Sequence, residues 1–169
     1  MIEVRGVSKK FGKLEVLKDV SISCKSGQCI ALIGPNGCGK TTLIKSILGM
    51  VLPDSGTMEF NQKSVFGDFL YRERIGYMPQ IGRYSDTMTI GKIIEKVKKI
   101  RNSKEVLDDD LYHTFGIEKM LNKQMRTLSG GTTQKISAVL AFLFNPDVLI
   151  LDEPTAGLDP LASEILKDK

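Results

Sequence analysis

The segment Gly34-Pro35-Asn36-Gly37-Cys38-Gly39-Lys40-Thr41-Thr42 constrains this chain more than any other. It matches GxxxxGK[ST]. The apolar run Cys29–Ile33 leads directly into it, and apolar residues at helical spacing, Leu43, Ile44, Ile47 and Leu48, follow it. This order predicts a strand buried on both faces, a glycine-rich loop and a helix from Thr41 to Met50, the context that gives the motif its meaning. Glycines let backbone N–H groups turn inward around phosphate oxygens without obstructing side chains. A helix starting near Lys40 adds partial positive charge at its N-terminus. Lys40 then reaches the β- and γ-phosphates, and the Thr41 hydroxyl suits Mg2+. The expected ligands are ATP and Mg2+, with every residue from Gly34 to Thr42 in the binding loop.

A second apolar run, Val148 to Leu151, ends on Asp152-Glu153. A buried strand would deliver both acids to the sheet edge where ligands bind in open α/β folds. Asp152 suits Mg2+ through its water shell, and Glu153 suits a base that polarises an attacking water.

The surrounding pattern predicts an α/β core of mostly parallel sheet, with an antiparallel β region at the start and a helical insertion at about 83 to 145. Apolar and polar residues alternate through Ile2 to Val7 and near Val16 to Ile22, with Gly12-Lys13 between them. After the turn Pro53-Asp54-Ser55-Gly56, a further strand is predicted at Thr57 to Phe60. From Thr89, a candidate N-cap, Ile90, Ile93, Ile94, Val97 and Ile100 share one helix face. Another helix opens at Ser129-Gly130-Gly131 and runs to Phe144, where Asn145-Pro146 stops it. The 169 residues, 41% hydrophobic, suffice for one full core with a smaller lobe: residues 1–82 hold the β subdomain and phosphate loop, 83–145 the helical subdomain, and 146–169 the acidic strand with the residues after it. The basic stretch Lys92, Lys96, Lys98, Lys99, Arg101 and Lys104 reads as a solvated helix face, so no nucleic-acid partner is expected. Cys24, Cys29 and Cys38 form no CxxC pair, which argues against a disulfide framework or zinc site. No run reaches the roughly 20 apolar residues of a membrane span, and the start lacks a signal-peptide pattern, so a cytoplasmic location is expected.

Leu128-Ser129-Gly130-Gly131, followed by Asp152-Glu153-Pro154-Thr155 and Ala156-Gly157-Leu158-Asp159, resembles the ABC ATPases, and the match runs through the chain in the right order. The resemblance implies a P-loop NTPase core and a set of roles. Phe11 lies where the family stacks an aromatic ring on adenine. Gln80, in Tyr77-Met78-Pro79-Gln80, corresponds to the Q-loop glutamine that contacts Mg2+ or its water and links the core to the helical region. Ser129, Gly130 and Gly131 correspond to the signature that contacts the γ-phosphate of ATP held by the opposite subunit. Asp159 takes the D-loop position, facing that subunit and arranging the attacking water. The catalytic set is thus Glu153, Gln80, Asp159 and Lys40, and the Mg2+ ligands are Thr41, Gln80 and Asp152. Thr132 stands where the family commonly has Gln, so that Gln contact is not carried over.

Family members have a further strand bearing a switch histidine after the helix near Pro160. The only histidine here, His113, is upstream and reads as solvated or structural. The last core strands are therefore expected to be missing, and this piece is expected to hydrolyse ATP more slowly than an extended one. The resemblance further implies a cytoplasmic ATPase subunit at the inner face of the cell membrane. It would close head-to-tail with a second cassette, identical or not, and drive transmembrane permease subunits. The rival class is a soluble ABC ATPase acting on ribosomes, DNA or cofactor assembly, but neither tandem cassettes nor a long coiled coil is seen. Around Leu143 to Lys167 there is a second resemblance, to ATPases of copper-site maturation systems.

Overall fold

Alternating apolar and polar residues at the start of the chain produce an antiparallel sheet. β1 (Ile2–Phe11) and β2 (Leu14–Cys24) form a hairpin about Gly12 at φ 59°, and β3 (Ser55–Phe60) and β4 (Lys63–Ser64) complete the order β2-β1-β3-β4. Val4 sits opposite both Ile22 and Met58, and Ile2, Val4 and Val7 are all buried. Strict alternation would turn Val7 outward. Register shifts between Val4 and Val7, beside Gly6 at φ 60°, add the extra residue that keeps it on the inner face.

The computed structural model describes residues 1–101 and 106–169, so Lys104 lies outside the described residues. The chain divides into two units, Met1–Arg72 and Glu73–Lys169. In the first, α1 (Lys40–Ile47) buries Leu43, Ile44 and Ile47 and ends earlier than its periodicity predicts. Gly49, at φ 64°, turns the chain there, and Tyr71 and Arg72 donate to the carbonyls of Ile47 and Gly49 at 2.9 and 3.0 Å. The first bond satisfies a carbonyl that the helix end leaves without a partner, and the second holds the turn that follows.

One expectation fails in this unit. Cys29–Ile33 is neither a strand nor buried: it joins no ladder, and Ile33 is 93% exposed. A strand covered on both faces needs neighbours to take its N–H and C=O groups. The antiparallel sheet of this unit does not include the run.

The second unit is built around β5 (Ile75–Met78) and β6 (Val148–Leu151), paired in parallel with Met78 opposite Leu151. This pair is the parallel sheet among the described residues, narrower than the mostly parallel sheet expected. Leu149 is partly exposed, so β6 is not covered on both faces. Helices α2 (Ile90–Arg101), α3 (Asp110–Thr114), α4 (Gly130–Phe142) and α5 (Pro160–Asp168) complete the unit. Ile90, Ile93 and Ile94 of α2 and Ile136 and Val139 of α4 share a core with Met78 and Leu166.

Ile100, predicted on the inner face of α2, is 71% exposed, because the apolar stripe ends a turn earlier. Arg101 departs the other way: it is not a solvated cation but donates to the carbonyls of Glu73 and Ile75 and covers the Phe144 ring. α4 ends at Phe142, and Asn145 takes φ 45° before Pro146. No helix among the described residues is long and apolar enough to cross a membrane.

Candidate functional site

In the first unit the phosphate loop is shaped by glycine backbone. Gly37 and Gly39 adopt φ 80° and 99°, which residues with a Cβ rarely adopt. A Cβ on Gly39 would also come within 2.7 Å of the Val16 carbonyl oxygen. Gly39 is the N-cap of α1 and makes no side-chain cap bond, so the first N–H groups of that helix are not taken by a cap side chain. Lys40 folds back over the loop, its Nζ donating to the carbonyls of Gly34 at 2.7 Å and Pro35 at 3.0 Å. Cys38, like Cys24 and Cys29, is a free thiol. Phe11, at the end of β1, is 49% exposed and is not part of the β core; Lys9 Nζ lies 5.5 Å from its ring centroid.

The second unit brings Gln80 and Glu153 together. Gln80 follows β5 and Glu153 follows β6, and Gln80 Nε2 donates to Glu153 Oε2 at 2.7 Å. The parallel register extends past the strand ends, with Asp152 N donating to Met78 O at 2.9 Å. Asp152 is 3% exposed and its charge helps raise the Tyr77 pKa, although burial is the larger cause. Glu153 adopts φ 51°, a conformation costing a non-glycine residue about 1–3 kcal/mol, and such strain gathers at functional positions.

The signature turn is held by side chains. Ser129 caps α4, accepting from Thr132 N at 3.2 Å, and its hydroxyl lies 2.9 Å from the Thr132 hydroxyl. Thr132, the residue that departs from the family pattern, thus braces the cap. A Cβ on Gly131 would meet the Gly157 carbonyl oxygen at 2.8 Å, whereas one on Gly130 would meet nothing within 4 Å. Asp159 caps α5, accepting from Ala162 N at 2.9 Å, and pairs with Lys135 of α4 at 2.8 Å. The Lys135 bond, followed by the Ala162 N–H, holds the Asp159 carboxyl below the usual aspartate range.

Three residues outside the sequence-predicted set also shape this region. Gln134, buried on α4, donates to the Pro79 carbonyl at 3.3 Å, and Ser137 meets the Tyr84 hydroxyl at 2.9 Å. α4 thereby grips the segment that carries Gln80. Lys135 is the third. Polar residues on a predicted helix give no sign of such contacts. His113 is exposed beside Asp109 and Glu118 of its own region.

The comparison with protein families decides the identity: a model described as ABC transporter matches residues 17–156. This chain belongs to that family. The Nod factor export ATP-binding protein I of Ralstonia nicotianae is 31% identical across 100% of this chain and 54% of its own length. The sulfate/thiosulfate import ATP-binding protein CysA of Pectobacterium atrosepticum is 33% identical across 94% of this chain and 50% of its own. The chain spans about half the length of these curated relatives. A solved ATP binding subunit of an ABC transporter superposes with a TM-score of 0.89 at 32% identity, covering 99% of this chain and 72% of that one. The dimeric cassette MJ0796 bound to ADP and Pi shares the fold, with a TM-score of 0.82 at 22% identity over 99% of this chain and 80% of its own. The architecture is the α/β fold of the ABC cassette, antiparallel β subdomain included.

Proposed function

We propose that this ABC-family chain is the ATP-binding and ATP-hydrolysing part of a transporter subunit. It closes head-to-tail on two ATP molecules with a second cassette and drives transmembrane permease subunits from the cytoplasmic face of the membrane. Relatives named as ATP-binding proteins of both an exporter and an importer support the transporter reading. The observation that carries the hydrolytic reading is the 2.7 Å bond from Gln80 to Glu153, which sets a carboxylate and a Q-loop amide together at the ends of parallel strands.

Each group then has a task. Lys40 exchanges its loop carbonyls for phosphate oxygens, which are stronger acceptors because they are charged. The backbone of Gly34 to Thr42 surrounds the phosphates, and Phe11 offers an exposed π face to adenine. The oxygens assigned to Mg2+, the Thr41 hydroxyl, the Gln80 amide oxygen and the Asp152 carboxylate, are each hard donors of the kind that ion takes. Mg2+, when bound, neutralises charge on the phosphates. Glu153 accepts the proton of the attacking water, with Gln80 orienting its carboxylate. Ser129, Gly130 and Gly131 serve the γ-phosphate of the partner cassette's ATP, with Asp159 beside them at the interface.

Affinity purification of the full-length protein from membranes tests the transporter reading. An integral membrane protein that co-purifies and accelerates MgATP hydrolysis is expected. ATP-dependent association with ribosomes and with no membrane protein would contradict it.

A further inference from the structure

Asp159 uses its two carboxylate oxygens differently. Oδ1 accepts from Ala162 N and caps α5, while Oδ2 meets Lys135 Nζ at 2.8 Å. Lys135 stands six positions after Ser129 on α4, its side chain is three-quarters covered, and its ammonium lies 5.7 Å from the Phe115 ring centroid. The largely covered side chain carries the ammonium past that ring to Asp159. A close contact lies between the same two segments. Gly131 approaches the Gly157 carbonyl so closely that a Cβ would sit 2.8 Å from it. α4 and the segment before α5 are therefore in close backbone contact at Gly131 and Gly157 and are joined by one ion pair.

An ion pair whose acid is half exposed adds little to folding stability. What it supplies is geometry: without Lys135 the cap to α5 would hold Asp159 from one side only. We propose that Lys135 is a positioning residue for ATP hydrolysis, pinning Asp159 to the signature helix so that the Ser129–Gly131 turn and the D-loop move as one body. The proposal rests on the cassette reading above. It adds a residue to the machinery and a route by which contact at the signature reaches the D-loop of the same chain.

The test uses the full-length protein with its partner cassette and the variants Lys135→Met, Lys135→Arg, Asp159→Asn and the double change Lys135→Met with Asp159→Asn. A lost positioning contact predicts a fall in kcat on the order of 10-fold for Lys135→Met, with KM for ATP within about twofold and melting temperature unchanged. Lys135→Arg restores kcat to within about twofold, because a guanidinium makes the same pair. The double change is no slower than the slower single change, since both remove one interaction. Hydrogen exchange of the nucleotide-free protein gives an independent readout: amides of Ala156 to Asp159 exchange faster in Lys135→Met and stay at wild-type rates in Lys135→Arg. Unchanged exchange, a shift confined to KM, or multiplicative losses in the double variant would overturn the proposal. A wild-type protein without MgATP hydrolysis would overturn the cassette reading, and the exchange measurement would still decide whether Lys135 holds the loop.

Discussion

The phosphate loop and the signature turn both place glycines at the start of a helix, yet they are held by different means. At the start of α1, Gly37 and Gly39 supply backbone conformations, and no side chain caps the helix. At the start of α4, Ser129 caps the helix, Thr132 braces Ser129, and Gly131 supplies room rather than an unusual φ. The first turn has no cap side chain and is held within itself, by its glycine conformations and by Lys40 Nζ on the carbonyls of Gly34 and Pro35. The second is tied to its surroundings through side chains.

Alanine at equivalent places would sharpen this contrast. Gly39→Ala forces a Cβ toward the Val16 carbonyl at φ 99°; the free loop relaxes away from that geometry, and restoring it around the phosphates costs about 1–3 kcal/mol, lowering ATP affinity by roughly 5- to 150-fold. Gly130→Ala meets open space and should change melting free energy by no more than about 0.5 kcal/mol. Fluorescent-nucleotide titration and thermal melts read the two effects. Comparable ATP losses at both positions, with Gly130→Ala unstable, would break the comparison.

A smaller effect concerns Asp159. Its pKa is depressed from the usual 3.8, first by the Lys135 bond, so the pairing is complete above the usual aspartate range and disappears as pH falls through the lowered value. At neutral pH the tie is intact. Carboxyl NMR titration should place Asp159 below 3.8, with Lys135→Met moving it upward. An unmoved titration in that variant would remove Lys135 as the cause.

The same contrast explains what was legible in the sequence. A turn that needs glycine at fixed positions writes itself into the sequence, and Gly37 and Gly39 do take positive φ directly before α1. Ser129 could be placed as a cap, since few side chains serve there. Lys135 and Gln134 could not, because any polar residue on an exposed helix face looks alike until tertiary contacts select among them. Arg101 misled for a related reason: it stands among lysines, but its planar fork of donors reaches two carbonyls, Glu73 and Ile75. The apolar runs Cys29–Ile33 and Val148–Leu151 read alike as well. Val148–Leu151 found β5 as a partner, and Cys29–Ile33 joined no ladder. Apolar content reports that a segment can be buried, while the neighbour that makes it a strand lies elsewhere in the chain.

The parallel register of β5 and β6 brings Gln80 and Glu153 together, and the proposed function makes Glu153 the acceptor of the attacking water's proton. The most direct measurement is equilibrium binding of MgATP alongside phosphate release for full-length Glu153→Gln, a change that keeps shape and removes the base. Retained ATP binding with release slowed by about 100- to 10,000-fold is the predicted result. Release at the wild-type rate would contradict the account.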